Sequence, residues 1–271
     1  MSAAVALGSA WSTRSTTWSR YSACTGFPVL LVSLLAGPLA GMQNSSATYQ
    51  VTTVRDGATL NGEVVFSGQV PRPRRLLITK DIEVCGQGYR ERRQVAVGSG
   101  GGLRDVVVFI EGIEKGKPWP DVSEGYMMDQ VDCYFDPHVQ VVQWGAELNI
   151  VNSDPVLHNI HSYELTGGAR RTLFNFGQPP EKGIISQALR PRRGRQIRLE
   201  CDAHDFMLGW IYVTDNPYAV AVDADGHFTI DDISPGTYTV KAWHPYLGMQ
   251  EQEITLSAKE TSEIAFQFSS N

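Results

Sequence analysis

The feature that most constrains the fold is a succession of short segments rich in β-branched and aromatic residues, each bounded by Gly, Pro, Asp or Asn. Such segments are typical of β-strands, and their bounding residues are typical of turns. The segments that follow residue 47 are ATLNGEVVFSG, RRLLITK, RDVVVFIEGI, HVQVVQWG, ELNIVNSD, RQIRLEC, GWIYVTD, GHFTI, GTYTVKAW, QEQEITL and SEIAFQF. No stretch among them keeps a helical apolar period for long, so the sequence predicts an all-β protein built of sandwiches or barrels.

The first 47 residues have the order of a secretory signal. Arg14 and Arg20 precede an apolar run at 27–41, small and polar residues follow, and the segment contains no Asp or Glu. The apolar run is shorter than the roughly 20 residues that span a bilayer. We therefore expect residues 1–47 to be a signal peptide, the mature protein to be periplasmic or extracellular, and no stable membrane span to remain.

The charge distribution argues against nucleic acid as a partner. The formal net charge is -6, so the chain lacks the general basic surface that nucleic-acid binding needs. One local exception is the run RPRRGR at 190–195. These arginines are expected to cover the surface of a hairpin, with docking of an acidic partner as the alternative.

Removal of the expected signal peptide leaves an odd number of cysteines in the exported protein. Cys85, Cys133 and Cys201 remain once the signal is removed. In an oxidising compartment the odd thiol pairs with another chain, stays free or binds a ligand. If Cys201 is that thiol, Cys85 and Cys133 are left to form a disulfide. The alternative is that all three are buried free thiols.

Three residues of metal-binding type lie close together in the segment CDAHDFM. In the preceding strand-like segment, Ile197, Leu199 and Cys201 alternate with charged residues, so the thiol would point to the same buried face as the two aliphatic side chains. His204 and Met207 follow on the loop before the next predicted strand. Ligands on one short loop can converge on a single point.

A further ligand has to come from another strand, and the segment HNIH supplies His158 and His161. In an extended chain these two residues point to opposite faces, and His158 is the candidate ligand. We assign no ligand role to His161, His138, His227 or His244. Two imidazoles, one thiolate and a weak axial thioether form the ligand set of a blue-copper electron-transfer site.

The individual residues also fit ordinary structural roles. Met207 is followed by Leu208 and Trp210 and fits a core position, and His204 alone fits a loop histidine. The occurrence of the whole ligand set in strand and loop context favours copper.

Residues 104–214 resemble the cupredoxins, the family of amicyanin- and plastocyanin-like blue copper proteins. The resemblance rests on HNIH, on CDAHDFM and on the preceding DPHVQVVQWGAELNIVNSD. It implies a Greek-key β-sandwich in which Asn159 ties the two ligand loops together and the edge of His204 is the exposed route for electrons. The ligands implied for its one type 1 copper site are His158, Cys201, His204 and Met207.

Residues 215–271 resemble the carboxypeptidase regulatory-like domain, on the segments DADGHFTI and PGTYTV. The N-terminal β segment 48–103, with TLNGEVVFSGQVP, looks like the opening strands of the same type of domain. Half a sandwich cannot bury both of its faces alone. The two segments are therefore predicted to combine into a second, smaller sandwich of immunoglobulin/transthyretin-like type.

The function that these features predict is one-electron transfer by an exported type 1 copper protein that acts with redox partner proteins. Such a site offers no open position for a substrate, so we expect no catalytic residue and no enzymatic activity. Two alternatives remain. One is a periplasmic copper-binding or copper-delivery protein, and the other is a non-metal β-sandwich for adhesion or carbohydrate binding.

Overall fold

The computed structural model describes residues 49–270, whose regular secondary structure is almost entirely β-strand, so the predicted all-β class is confirmed. The strands are β1 (Gln50–Val51), β2 (Ala58–Ser67), β3 (Arg74–Leu77), β4 (Tyr89–Arg92), β5 (Val107–Ile110), β6 (Lys115–Gly116), β7 (Tyr126–Val131), β8 (Tyr134–Asp136), β9 (Val139–Gln143), β10 (Glu147–Asn152), β11 (His158–Thr166), β12 (Ala169–Gln178), β13 (Ile185–Ala188), β14 (Gln196–Glu200), β15 (Leu208–Thr214), β16 (Ala219–Ala221), β17 (His227–Ile233), β18 (Gly236–His244), β19 (Gly248–Leu256) and β20 (Thr261–Ser269). The helical elements are a single α-turn, α1 (Ile82–Cys85), and a 3₁₀ turn (Pro180–Lys182).

Two sheets form the first sandwich. One has the order β12-β11-β14-β15-β9 and the other β13-β10-β7-β8. In β14, Ile197 and Leu199 are fully buried, while Gln196, Arg198 and Glu200 are partly exposed, because a strand directs alternate side chains to opposite faces. The buried faces of both sheets form one core that includes Cys201 and Met207.

The second sandwich joins the two ends of the described chain. Its sheets have the orders β16-β5-β18-β19 and β17-β2-β20. Strand β2 lies between β17 and β20 and runs parallel to β20. Strand β5, Val107–Ile110, falls in the range expected for the first sandwich, but it pairs with β16 and β18 of the second. All four of its residues are buried, as suits an interior strand.

Strand β15 packs against both sandwiches. Ile211 and Val213 point into the core of the first sandwich, whereas Trp210 and Tyr212 point away from it. On that second side the two aromatic rings pack against Trp243 of β18, with ring centroids 6.2 Å and 5.5 Å from it, respectively. The strand is therefore buried on both faces.

A segment that we call the cap, residues 74–92, packs on the first sandwich. It consists of β3, α1 and β4, and it contributes Ile78 and Cys85 to the core of that sandwich. A disulfide joins Cys85 to Cys133, with an S–S distance of 1.99 Å. The N-terminal range 48–103 was expected to belong to the second sandwich, and its β2 does so, but the cap instead covers the first.

The predicted signal peptide, residues 1–47, lies outside the described residues. Within residues 49–270, no helix is long and apolar enough to cross a membrane.

Candidate metal centre

Cys201 and His204 lie on the loop that leaves strand β14. The side chain of Cys201 points into the core and the residue is 2% exposed. The backbone N–H of His204 donates to the carbonyl of Cys201 at 3.3 Å, and the N–H of Met207 donates to the carbonyl of His204 at 3.0 Å. The loop thus folds as two successive tight turns. His204 and Met207 are both 1% exposed, and Met207 lies in the same core cluster as Cys201.

His158 is the first residue of β11 and is fully buried. Strand β11 runs antiparallel to β14, with His161 opposite Glu200, so the start of β11 lies beside the loop that follows β14. The ring of His161 instead lies on the other face of the strand, where its nitrogens contact Asp202 and Thr172. Of these two histidines, His158 is the one that approaches Cys201.

Three potential donor atoms meet between β11 and the loop. The Nδ1 atoms of His158 and His204 are 3.0 Å apart. The Sγ of Cys201 lies 3.9 Å from Nδ1 of His158 and 3.7 Å from Nδ1 of His204. All three residues are buried, and their ligand atoms lie within 4.8 Å of one another, so the group could hold a metal ion.

A carboxylate fixes each imidazole through its other ring nitrogen. Nε2 of His158 lies 2.8 Å from Asp154, and Nε2 of His204 lies 2.9 Å from Asp81. Because an ionised carboxylate only accepts, each contact requires the hydrogen on Nε2, and a ring with one N–H then turns the lone pair of Nδ1 towards the other ring. Two lone pairs at this distance repel each other unless a cation lies between them. The pair is therefore arranged for a metal ion or a shared proton.

Burial acts on both types of donor. Desolvation lowers the pKa of His158 below its ordinary value, although the hydrogen bond to Asp154 opposes this. Desolvation also raises the pKa of the Cys201 thiol, although backbone hydrogen bonds from its neighbours oppose this. When no metal ion is bound, desolvation therefore favours the neutral form of both groups. Binding of a metal ion has to release the thiol proton.

Asn159 connects the strand of His158 to the loop of Cys201. Its Oδ1 accepts the backbone N–H groups of Asp202 and Ala203, at 2.6 Å and 3.2 Å. Its own backbone N–H points at the Sγ of Cys201, 3.5 Å away. These contacts fix the sulfur relative to the first imidazole.

A second group of metal-binding residue types, Cys133, Asp154 and His158, adjoins the first. The sulfur of Cys133 is bonded to Cys85, so it offers no thiolate. Asp154 accepts the backbone N–H groups of Asp132 and Cys133, both at 2.8 Å. These bonds aim the carboxylate at His158, so the second group supports the first.

The cap covers His204, and the expectation of an exposed His204 edge is wrong. The side chain is 0% exposed, and its Nε2 faces Asp81 of the cap. Arg90 holds the cap in this place, because its guanidinium donates to the carbonyls of Cys85 and Asp132. The disulfide and Arg90 together keep the segment over the ligand loop.

The two carboxylates were missed by sequence reasoning. Asp154 stands four residues before His158, so a local signal for that contact was present in NSDPVLH. Asp81 is 123 residues from His204, and no local pattern connects them. That contact arises from the packing of the cap.

Comparison with known sequences gives one part-length match. The family model described as "Polysaccharide lyase family 4, domain II" matches residues 204–264. That description differs from the carboxypeptidase regulatory-like resemblance noted for this part of the chain. No curated protein matches the chain significantly.

The solved structures similar to this chain include cupredoxins, at low TM-scores and over part of the chain. A copper-containing nitrite reductase from Thermus scotoductus SA-01 is 17% identical, with a TM-score of 0.26, over 33% of this chain and 22% of that one. A purple cupredoxin from Nitrosopumilus maritimus is 16% identical, with a TM-score of 0.28, over 33% of this chain and 99% of that one. An oxidised proline-to-glycine mutant of amicyanin is 17% identical, with a TM-score of 0.27, over 40% of this chain and 98% of that one.

Proposed function

We propose that this protein is an exported electron carrier of the cupredoxin type that binds one type 1 copper ion. The residues that would hold the ion are His158, Cys201, His204 and Met207. The observation that carries the proposal is the pair of Nδ1 atoms of His158 and His204, which lie 3.0 Å apart beside a buried thiol. A cation bound by both nitrogens removes their repulsion, and the thiolate supplies the negative charge that such a cation needs.

The donor set fits copper better than other common metals. Zinc also accepts thiolate and imidazole, but its usual fourth ligand is nitrogen, thiolate sulfur or oxygen, whereas the fourth candidate here is the thioether of Met207. Calcium and magnesium require oxygen ligands. The carboxylates of Asp154 and Asp81 already bind the imidazoles. Soft sulfur ligands together with imidazole select copper.

The protein keeps these donors in place. When bound, copper would supply a one-electron couple between its two common oxidation states. Asp154 and Asp81 fix the tautomer of the two imidazoles, and Asn159 fixes the sulfur. One donor lies on a packed strand and the others on a buried, hydrogen-bonded loop, so they move little when the charge of the site changes, which favours rapid electron transfer.

Burial of the ligands supports electron transfer over the alternatives. The donor residues are at most 2% exposed, so a substrate cannot reach them, and we propose no catalytic role. A copper-delivery protein has to release its ion readily, which the tethered cap opposes. The disulfide between Cys85 and Cys133 fits an oxidising periplasmic or extracellular location, which is the location expected from the signal peptide at residues 1–47.

Redox partner proteins are proposed to dock beside Cys201, on the side where its neighbours reach the solvent. The side chain of Asp202 is 53% exposed there, and it binds both Asn159 and His161. Asn159 also contacts the sulfur of Cys201. Because the cap blocks the edge of His204, this face offers a connected path from the thiolate to the surface.

Copper titration of the metal-free protein, followed by absorption spectroscopy, tests the proposal. Copper should produce an intense visible thiolate-to-metal band in the wild type. Cys201→Ser should abolish the band, because a hydroxyl is a poor donor at neutral pH. His161→Ala is the matched control and should keep the band. A colourless copper-loaded wild type, or an unchanged spectrum in Cys201→Ser, would defeat the proposal.

The role of Met207 has its own test. Met207→Leu should keep the copper and its colour but raise the reduction potential, because the thioether that favours the oxidised ion is lost. Voltammetry of the wild type and the variant measures the difference. Equal potentials would remove Met207 from the ligand set.

A further inference from the structure

A cleft lies at the other end of strand β14 from the metal centre. It has a volume of about 910 Å³, and one of its walls is a segment that we call the arginine loop, residues 190–195. This volume is in the range of small-ligand sites. Arg195 directly precedes β14 and Cys201 directly follows it, so the length of the strand separates the cleft from the candidate metal ligands.

The arginine loop concentrates positive charge on a chain whose net charge is negative. Arg195 pairs with Asp215. Among the residues that the structure describes, the exposed guanidinium groups of Arg190, Arg192 and Arg193 have no ion-pair partner. Adjacent unpaired guanidinium groups attract carboxylates and bind them with two parallel hydrogen bonds.

A buried carboxylate holds the backbone of the arginine loop in place. Glu164 is 2% exposed, and its carboxylate accepts the backbone N–H groups of Arg193 and, at 2.7 Å, Gly194. Although burial opposes ionisation, these bonds and the Arg171 guanidinium hold the pKa of Glu164 below its ordinary value. A Cβ on Gly194 would lie 1.9 Å from the carbonyl oxygen of Leu165, so only glycine fits there. A ligand therefore meets a preorganised loop and binds at a smaller entropic cost.

Aromatic rings complete the cleft. Trp144 is 48% exposed, and its Nε1 donates to the carbonyl of Pro191 at 3.2 Å, which fixes the indole against the arginine loop. Trp119 and Tyr49 form a further aromatic pair, with centroids 5.9 Å apart. These two rings are partly buried, whereas the exposed indole of Trp144 can pack against the apolar face of a cyclic ligand, such as a sugar ring.

The main chain of the loop offers little to a peptide. Pro191 has no N–H, its carbonyl is used by Trp144, and the N–H groups of Arg193 and Gly194 are used by Glu164. A peptide that binds by strand addition needs such groups free. Recognition in the cleft thus depends on guanidinium groups and ring faces. We propose that the cleft binds an acidic oligosaccharide, with a sugar ring on Trp144 and carboxylates on the unpaired arginines.

Calorimetry with a tetramer of galacturonic acid tests this proposal. The acidic tetramer should bind the exported protein, and the neutral galactose tetramer should bind at least about tenfold more weakly. Arg192→Gln and Trp144→Ala should each weaken the binding by about tenfold or more, and Trp144→Phe should restore part of it. Arg75→Gln and Tyr89→Ala are matched controls, because that arginine and ring form an exposed stacked pair on the cap.

The remaining outcomes decide between ligand classes. Absence of binding, or binding of a glutamate tetrapeptide or inorganic phosphate as tight as that of the acidic sugar, would overturn the proposal. Cys201→Ser should bind the sugar as the wild type does, because the cleft does not include the metal ligands. The two proposals can therefore fail independently.

Discussion

At the scale of single residues, the two aspartates that contact the imidazoles are expected to influence the reduction potential of the proposed copper ion. Asp154 and Asp81 each place a carboxylate at hydrogen-bond distance from the ring nitrogen that faces away from the other donors. The oxidised ion carries one more positive charge than the reduced ion. Negative charge next to the ligands therefore stabilises the oxidised form and lowers the reduction potential.

Asp81→Asn should raise the reduction potential by about 60 mV, which corresponds to about tenfold in a one-electron equilibrium. Asparagine can accept the same ring N–H and tolerates the left-handed backbone of Asp81, which has a φ of 47°, so the variant removes charge with little change of shape. Voltammetry measures the shift. Asp205→Asn is the control, because it removes an exposed charge on the ligand loop that does not contact an imidazole. Equal shifts in both variants would contradict a direct role of the contact.

The residues of the site could be predicted from the sequence where the chemistry is local. The alternation in β14 placed Cys201 on a buried face, and the spacing of HNIH separated His158 from His161. The cover over His204 could not be predicted in this way. Asp81 reaches that ring through tertiary packing, which has no periodic signature in the sequence.

At the scale of elements, the strands could be predicted where apolar and polar residues alternate. The segments RQIRLEC and GWIYV correspond to β14 and β15. Strand β12 was missed, because the arginine-rich start of ARRTLFNFGQ hides its strand character, and its pairing with β11 supplies the stability that composition does not. The range 48–103 was expected in the second sandwich as a whole, and the place of the cap was not anticipated, because its strands are short and give little alternation to distinguish one core from the other.

The disulfide between Cys85 and Cys133 is predicted to be present in the exported protein and to hold the cap closed. It closes a loop with a sequence separation of 48, so replacing both cysteines with serine should lower the free energy of unfolding by about 4 kcal/mol in the chain-entropy model. The same variant should lose copper to a chelator faster, because the cap opens over His204. Mass mapping of the unreduced protein, denaturant unfolding and chelator kinetics measure these effects. Free thiols at both positions in the exported wild type would refute the prediction.

At the scale of the whole molecule, strands from the N-terminal part of the described chain pair with strands from its C-terminal part to form the second sandwich. The sheet β17-β2-β20 has its central strand from the N-terminal part of the described chain, and β5 lies between β16 and β18. The resemblance of two separate segments to one type of domain predicted such a combination. The contribution of β5 could not be predicted from the sequence, because a short buried apolar run fits the interior of either sandwich.

A fragment of residues 216–271 should not fold alone. Without β2 and β5, its remaining strands lose the central member of one sheet and an interior member of the other, and their apolar faces stay exposed. Circular dichroism and limited proteolysis of the isolated fragment, compared with the intact protein, test this. A protease-resistant fragment with a cooperative thermal transition would contradict the strand pairing as a requirement for folding.

His244 should make the stability of the whole molecule depend on pH. It is fully buried, its Nδ1 accepts the backbone N–H groups of Tyr246 and Leu247, and burial, with a smaller effect of His138, lowers its pKa from 6.5 to about 4. The unfolded chain therefore binds this proton first as the pH falls. The contribution of His244 to the free energy of unfolding is therefore fully present above about pH 6.5. It decreases as the pH falls to about 4, by up to roughly 3 kcal/mol.

The comparison of His244→Asn with the wild type isolates this contribution. The Oδ1 of asparagine can accept the same two backbone N–H groups without titrating, so urea unfolding of the metal-free variant should show a smaller loss of stability between pH 6.5 and pH 4. His158 has a lowered pKa as well and acts in the same direction, but it is present in both proteins and cancels in the difference. His227→Asn is the control for the substitution itself, because that side chain is 61% exposed. If His244→Asn and the wild type lose stability equally over this range, the buried histidine does not control the acid sensitivity of the fold.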